Sequence, residues 1–275
     1  EIHQSGIPPV TTWSSADGVL PRPPETTPII LQSGPMVGHT THNSTKIWYL
    51  AANKSSAVEV VYKQQVAASR EDGTSAGTTR NSGKTVAMPP RKEHNGSSLG
   101  KIGGLKASTT YSYQVLVDGT PVAKGEFTTA PSPRQPVKFS YLLTSCMNVR
   151  KQAGYPEQYV WDVILEKQPA FAMMNGDTVY LDPNDWDSSG VIYSRAWQRN
   201  LEQREEVYYS RFLSNIPSYM TWDDHDFGAD NSYGDQRGKE NSLAVVKAMW
   251  ANPSYGTPSV DGVFYSYYWG DVQFF

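Results

Sequence analysis

The sequence predicts a two-part chain, an N-terminal all-β sandwich followed by an α/β domain. Three observations predict it. Residues 28–130 carry runs of β-branched and aromatic residues that alternate with polar ones. Ala130-Pro-Ser-Pro-Arg-Gln-Pro136 then interrupts the pattern with three prolines in seven residues. Beyond it, short apolar strands alternate with stretches of helical periodicity, the signature of a layered α/β domain.

In chain order, residues 1–27 are rich in Pro, Thr and Ser and read as an extended arm. Lys46–Leu50, Ala57–Tyr62, Tyr111–Val117 and Gly125–Thr128 read as strands. Asp118-Gly119 is a hairpin turn signal, because both residues tolerate positive φ. Residues 69–104 are dominated by Gly, Ser, Thr and Lys and read as loops. Together these describe a small sandwich of fibronectin type III or immunoglobulin kind over 28–130. Residues 131–136 read as a stiff linker and 137–275 as part of a second domain.

In that second part, strands are expected at 138–143, 170–174 and 218–222. Helices are expected at 156–168, over a long amphipathic stretch at 195–214, and at 242–250. Val263–Tyr268 and Val272–Phe275 read as paired strands around Trp269-Gly-Asp271. The chain stops inside this apolar run, and an unaccompanied terminal strand needs a neighbour. The expectation is a truncated or cleaved product, or one half of a two-chain molecule.

Composition narrows the function. A net charge of −3 gives no electrostatic case for stable binding of nucleic acid or anionic membrane. No apolar run approaches the roughly 20 residues that span a bilayer. A single cysteine leaves no intrachain disulfide framework. The glycosylation sequons at Asn43, Asn53 and Asn95 are close to the number that chance supplies.

Chemistry concentrates after three apolar runs. Phe139–Leu143 leads to Ser145-Cys146, Phe171–Met174 to Asn175-Gly-Asp-Thr-Val-Tyr180, and Tyr219–Trp222 to Asp223-Asp-His-Asp226. Open α/β sheets present ligands at the carboxyl ends of their strands. Asp177 reads either as a turn residue or as a carboxylate shared by two cations, which suits hard metals. Cys146 reads as a small buried hydrophobe, as a soft metal ligand, or less well as a nucleophile that the surrounding carboxylates would disfavour. Tyr180 is one of 17 tyrosines, and only its placement promotes it above packing. Four adjacent ionisable groups at 223–226 repel unless a cation or a solvated helix start offsets them. Asp224 is then a candidate ligand, and His225 a candidate proton donor or stabiliser of phosphate charge. His39 and His42 lie in a turn without nearby carboxylates or thiol, and read as incidental.

These motifs resemble the alkaline phosphatase D-like (PhoD-like) metallophosphatases. The likeness runs from Gly34-Pro-Met-Val-Gly38 through Gly104–Tyr113 and Phe127-Thr-Thr129, where that family carries a fibronectin-like domain. It continues through Ser145-Cys146, Gly176–Asp182, Trp222–Gly228, Asn252–Gly256 and Trp269–Phe275. The resemblance implies a four-layer αββα metallophosphatase fold, incomplete at its C-terminus, and a secreted, periplasmic or cell-surface phosphomonoesterase or phosphodiesterase. It implies a site with ferric iron and calcium, in which metal-bound hydroxide attacks phosphorus and other divalent metals are possible substitutes. By the same resemblance Cys146 and Tyr180 are iron ligands, Asp177 the shared carboxylate, Asp224 a ligand of the second metal, and His225 a substrate-orienting group. Asp182, Asp223 and Asp226 are implied to support the ligands. Relatives carry Asn where Asp230 falls, so Asn231 is the candidate amide ligand. They also continue with a Leu-Asp-x-Arg segment and a later Asp/His motif, so a separate C-terminal chain is the implied partner. Two rivals stand beside this reading. One is a catalytically incomplete surface or binding protein on the same scaffold. The other is a purple-acid-phosphatase-like enzyme, which relies on several His ligands where this chain offers only His225.

Overall fold

In a computed structural model, residues 31–65, 83–148 and 158–275 are described. The expected arm at 1–27 and the stretch 66–82 lie outside them.

Among the described residues, the N-terminal part holds seven strands: β1 (Leu31–Thr40), β2 (Ser44–Ala51), β3 (Val58–Gln64), β4 (Lys84–Ala87), β5 (Ser97–Gly103), β6 (Thr110–Val117) and β7 (Thr120–Thr128). They form two antiparallel sheets, ordered β1-β2-β5 and β4-β3-β6-β7. Val37, Ile47 and Tyr49 from the first share one buried cluster with Val60, Tyr113, Val115 and Phe127 from the second. Asp118 and Gly119 take φ 49° and 79° between β6 and β7, so the expected turn is where the sequence puts it.

The expected loop at 69–104 is corrected by β4 and β5. Ser97–Gly103 scores poorly as a strand, yet it pairs along its length with β2 from Ser44↔Gly103 to Leu50↔Ser97. Gly100 lets Met88 pack close: an added Cβ would lie 2.1 Å from the Met88 sulfur, which would then have to move. Cross-sheet packing thus overrides local propensity.

The second part begins with β8 (Leu142–Thr144), followed by α1 (Val160–Glu166) and β9 (Ala172–Asn175). Next come a small hairpin of β10 (Trp186–Asp187) and β11 (Gly190–Val191), then α2 (Tyr193–Glu205), α3 (Val207–Leu213) and β12 (Ser218–Thr221). Helices α4 (Asp224–Phe227) and α5 (Lys239–Met249) and the hairpin β13 (Tyr267–Trp269)–β14 (Val272–Phe274) complete it. Strands β12, β9 and β8 form a parallel sheet in that order. Its Ala172, Met174 and Met220 side face a core with Trp161, Trp197, Phe212, Val245 and Met249 of the helices. On the opposite side, Phe171 and Tyr219 pack with Tyr267 and Trp269 of the terminal hairpin.

Several expected boundaries shift. The strand expected at 138–143 pairs only from Leu142, where its register with Ala172 starts. Of the helix expected at 156–168, residues 156–157 lie outside the described set, and the helix is Val160–Glu166. Gln168 stops it with φ 49° ahead of Pro169, a residue that disfavours helix before it. The single helix expected at 195–214 is two helices, broken at Glu206, whose ψ of 120° leaves the helical region and whose side chain caps α3. In 263–268 only Tyr267 and Tyr268 pair in a ladder; Val263 and Phe264 spend their carbonyls on Thr221 and Gly256.

The two parts are joined by side chains of β2 and by the end of α5. Trp48 and Leu50 enter the helix-side core, while Ile47 and Tyr49 enter the sandwich core. The Ala248 carbonyl accepts from Trp48 Nε1 at 2.7 Å, Ser97 Oγ at 2.8 Å and Arg91 Nη2 at 3.2 Å. Buried Arg204 donates to Met249 O at 3.0 Å and lies over the rings of Trp48 and Trp250. Cations at a helix C-terminus offset its macrodipole. Among the described residues, no helix is long and apolar enough to cross a membrane.

Candidate metal centre

The carboxyl ends of β8, β9 and β12 lie side by side at Thr144, Asn175 and Thr221. Each hands the chain to one of the three motifs, so the parallel sheet brings Cys146, Asp177 and Asp224 to one edge. Two of these residues adopt the left-handed conformation, Cys146 with φ 59° and Asp177 with φ 52°. Such a conformation costs a non-glycine residue on the order of 1–3 kcal/mol, which the surrounding structure must hold in place. It is held here by Met147 N donating to Asp177 O at 2.8 Å and Cys146 N to Gly176 O at 3.3 Å. Gly176 has φ 85°, and an added Cβ would sit 2.5 Å from the Asp223 Cβ. Only glycine lets the Asp177 and Asp223 loops approach this closely.

Around Asp177 the contacts are sparse and polar. Tyr180 donates its hydroxyl to Asp177 Oδ2 at 3.1 Å, and the Cys146 thiol lies 3.6 Å from the same oxygen. Burial first, and then the Asp177 carboxylate, push the Tyr180 phenol above its ordinary range. Asp177 Oδ1 is buried and has no hydrogen-bond partner, and the same is true of His225 Nδ1. Asp177, Asp224 and His225 each offer a ligand atom within 4.8 Å of the others. The His225 ring lies 4.4 Å from the Tyr180 ring, and its Nε2 is 3.4 Å from Asp230 Oδ1.

Short helix α4 starts this cluster with a reciprocal cap. Asp223 Oδ1 accepts from Asp224 N at 2.9 Å, and Asp226 Oδ2 accepts from Asp223 N at 2.9 Å. The other oxygen of Asp226 accepts from Thr178 N, Thr178 Oγ1 and Val179 N at 2.9, 2.6 and 3.1 Å. Burial pushes the Asp226 carboxyl up to about 6, opposed by those hydrogen bonds.

The remaining sequence candidates fall in different places. The Asn231 backbone N–H donates to Asp224 Oδ2, while its side-chain amide turns to Asp230 at 2.8 Å. Exposed Asp230 is within reach of His225 but is not in the three-residue group. Asp182 is not one of that three-residue group; it pairs with Arg199 at 2.9 Å, beside the nearly fully buried Asp185 at 2.8 Å from the same guanidinium. Thr178 was not singled out by sequence reasoning. Its position inside Gly176-Asp-Thr was the available signal, but a threonine after a turn aspartate carries no chemistry until its partner is known. His39 packs edge-on against Tyr219 and Tyr267, and sits in no metal-ligand group among the described residues.

The donors present fit a cation. A buried carboxylate oxygen without a partner is costly, and a cation among Asp177, Asp224 and His225 would offset that cost. Carboxylate, imidazole, phenol and thiol together make a mixed donor set that suits a transition metal beside a harder ion.

No protein-family model matches the chain. No curated protein matches it in sequence. Solved structures do match it. PhoD is similar with a TM-score of 0.67 at 16% identity, over 90% of this chain and 51% of PhoD. A purple acid phosphatase from yellow lupin (Lupinus luteus) seeds is similar with a TM-score of 0.56 at 13% identity, over 86% of this chain and 43% of that one. The chain has the fold these two structures share, and spans about half the length of each.

Proposed function

We propose that this chain is a metal-dependent phosphoesterase that hydrolyses phosphate mono- or diesters. The observation that carries the reading is the convergence of Asp177, Asp224 and His225 at the strand ends, with Asp177 Oδ1 and His225 Nδ1 buried and unpartnered. Likeness in fold to PhoD and to a purple acid phosphatase supports it.

In this reading Asp177 and Asp224 would hold the cations, with Cys146 and Tyr180 as further ligands favouring ferric iron and the carboxylates favouring calcium. When bound, the metals supply Lewis acidity that activates water and neutralises charge on phosphoryl oxygens. The chain's own groups do the rest. Asp177, Asp224 and the Tyr180–His225 ring pair fix where a phosphoryl group can sit. The His225 imidazole donates a hydrogen bond or proton toward its oxygens, where a positioned acid–base group contributes about 10²- to 10⁴-fold. The described residues of the 28–130 stretch form a fibronectin-like sandwich, as two antiparallel sheets over one core support. Residues 131–136 are the linker to the catalytic part.

The test is metal content and turnover measured together. Wild type should retain iron and calcium and hydrolyse p-nitrophenyl phosphate or its bis-ester. Asp177→Asn should lose the metals and at least about 100-fold of that rate. Metal retention without turnover on either ester favours the binding-protein reading. Unchanged turnover in Asp177→Asn refutes the site.

A further inference from the structure

We propose that Asp226 is a positioning residue whose one buried carboxylate sets the spacing between the two ligand-bearing loops, with the Thr178 hydroxyl as its counterpart. The inference rests on the metal reading of the site and gives a specific part to Asp226, for which the resemblance implied only general support of the ligands, and to Thr178, which it did not name.

A reciprocal helix cap satisfies donors of its own helix. Asp226 does that with one oxygen only, taking Asp223 N at 2.9 Å. Its other oxygen leaves the helix and takes three donors from the loop that follows Asp177: Thr178 N, Thr178 Oγ1 and Val179 N. Asp226 is 3% exposed and Thr178 is 1% exposed, so water does not compete for these bonds. One rigid carboxylate therefore ties the turn that presents Asp177 to the helix start that presents Asp224 and His225.

The tie extends further. Asp177 O and Gly176 O accept from Met147 N and Cys146 N, so the loop that Asp226 anchors in turn anchors the Cys146 loop. Leu181 N donates to His225 O at 3.1 Å and closes the far side of the same loop. All three motifs are thereby referenced to one side chain, whose own hydrogen bonds go to Thr178, Val179 and Asp223. Partners that orient metal ligands from behind typically govern affinity by about 10- to 100-fold.

The experiment compares wild type, Asp226→Asn and Thr178→Val in the full chain, by Mn2+ titration and amide hydrogen exchange. Asp226→Asn keeps the shape but turns an acceptor oxygen into a donor. It should weaken Mn2+ binding by about 10- to 100-fold. It should also speed exchange at Thr178, Val179 and Asp223 while β-sandwich amides such as Val60 and Val115 keep their protection. Thr178→Val removes one donor and leaves the cap on Asp223 intact, so it reads the same effect in reduced form if Asp226→Asn does not fold. Lower thermal stability with unchanged Mn2+ affinity in the folded variants overturns the proposal, since it would mark a merely structural role. Wild type that binds no Mn2+ sinks the metal reading instead. The exchange pattern then still decides the clasp, and protection at Thr178 and Val179 that neither variant alters refutes it.

Discussion

His39 shows how a side chain outside the candidate site carries a measurable burden. It is half-buried under Tyr219 and Tyr267, with Nδ1 3.4 Å from the Tyr219 hydroxyl. Burial first, then Lys46 and Lys101, lower its imidazole from 6.5 to about 4. The folded protein thus binds fewer protons here than the unfolded chain between those values. Stability from this group is complete above pH 6.5 and is lost as pH falls from 6.5 toward about 4. The full gap corresponds to about 3 kcal/mol. His39→Gln should flatten the change in urea midpoint between pH 7 and pH 5 relative to wild type; an equal slope in both proteins would remove His39 as its source. The residue scale also marks what the sequence could not display. Cys146, Asp177 and Asn231 all adopt positive φ without being glycine. Such conformations are imposed by surroundings, here by the hydrogen bonds that knit the three loops, and residue identity alone does not announce them.

At the scale of elements, legibility followed periodicity. β2, β3 and β6 alternate or run apolar, and were readable; β1 and β5 carry Gly, Ser, Pro and His, and owe their extended state to partners on β2. The three motif-bearing strands were readable because each is a short apolar run followed at once by ionisable residues, although β8 starts later than its apolar pattern suggests. The break between α2 and α3 was hidden because Glu205-Glu206 sits inside an unbroken amphipathic pattern. What makes the break is a cap: Glu206 Oε2 accepts from Tyr209 N at 2.7 Å. Glu206→Ala should therefore cost about 1 kcal/mol, the usual value of an N-cap, read as a lowered denaturation midpoint. Glu206→Asp should recover most of that loss, since it restores an acceptor at the cap. An alanine variant as stable as wild type would show that α3 is held by packing alone.

Taken as a whole, the described residues form two large cores that share walls. Met36, Trp48 and Leu50 belong to the core under the helices, whereas Val37, Ile47 and Tyr49 belong to the sandwich interior. His39 N also donates to Ala251 O at 2.8 Å, and a Cβ on Gly38 would lie 2.2 Å from that of Ala251. Neither part can lose β1 and β2 without opening the other, so unfolding is expected to be one transition. Tryptophan fluorescence and far-UV circular dichroism should give coincident urea curves, and Trp48→Ala should move both together by about 3–5 kcal/mol. Separate midpoints for the two probes would contradict shared walls. Strand β2 finally implies an unusual intolerance. Because neighbouring side chains point to opposite faces, inserting or deleting one residue near Thr45 would exchange the contents of both interiors at once. Trp48 would be driven into space shaped for Ile47 or Tyr49, and no single compensating substitution could repair two mismatched cavities. Length changes should therefore be tolerated in the turns that flank this strand and rejected within it.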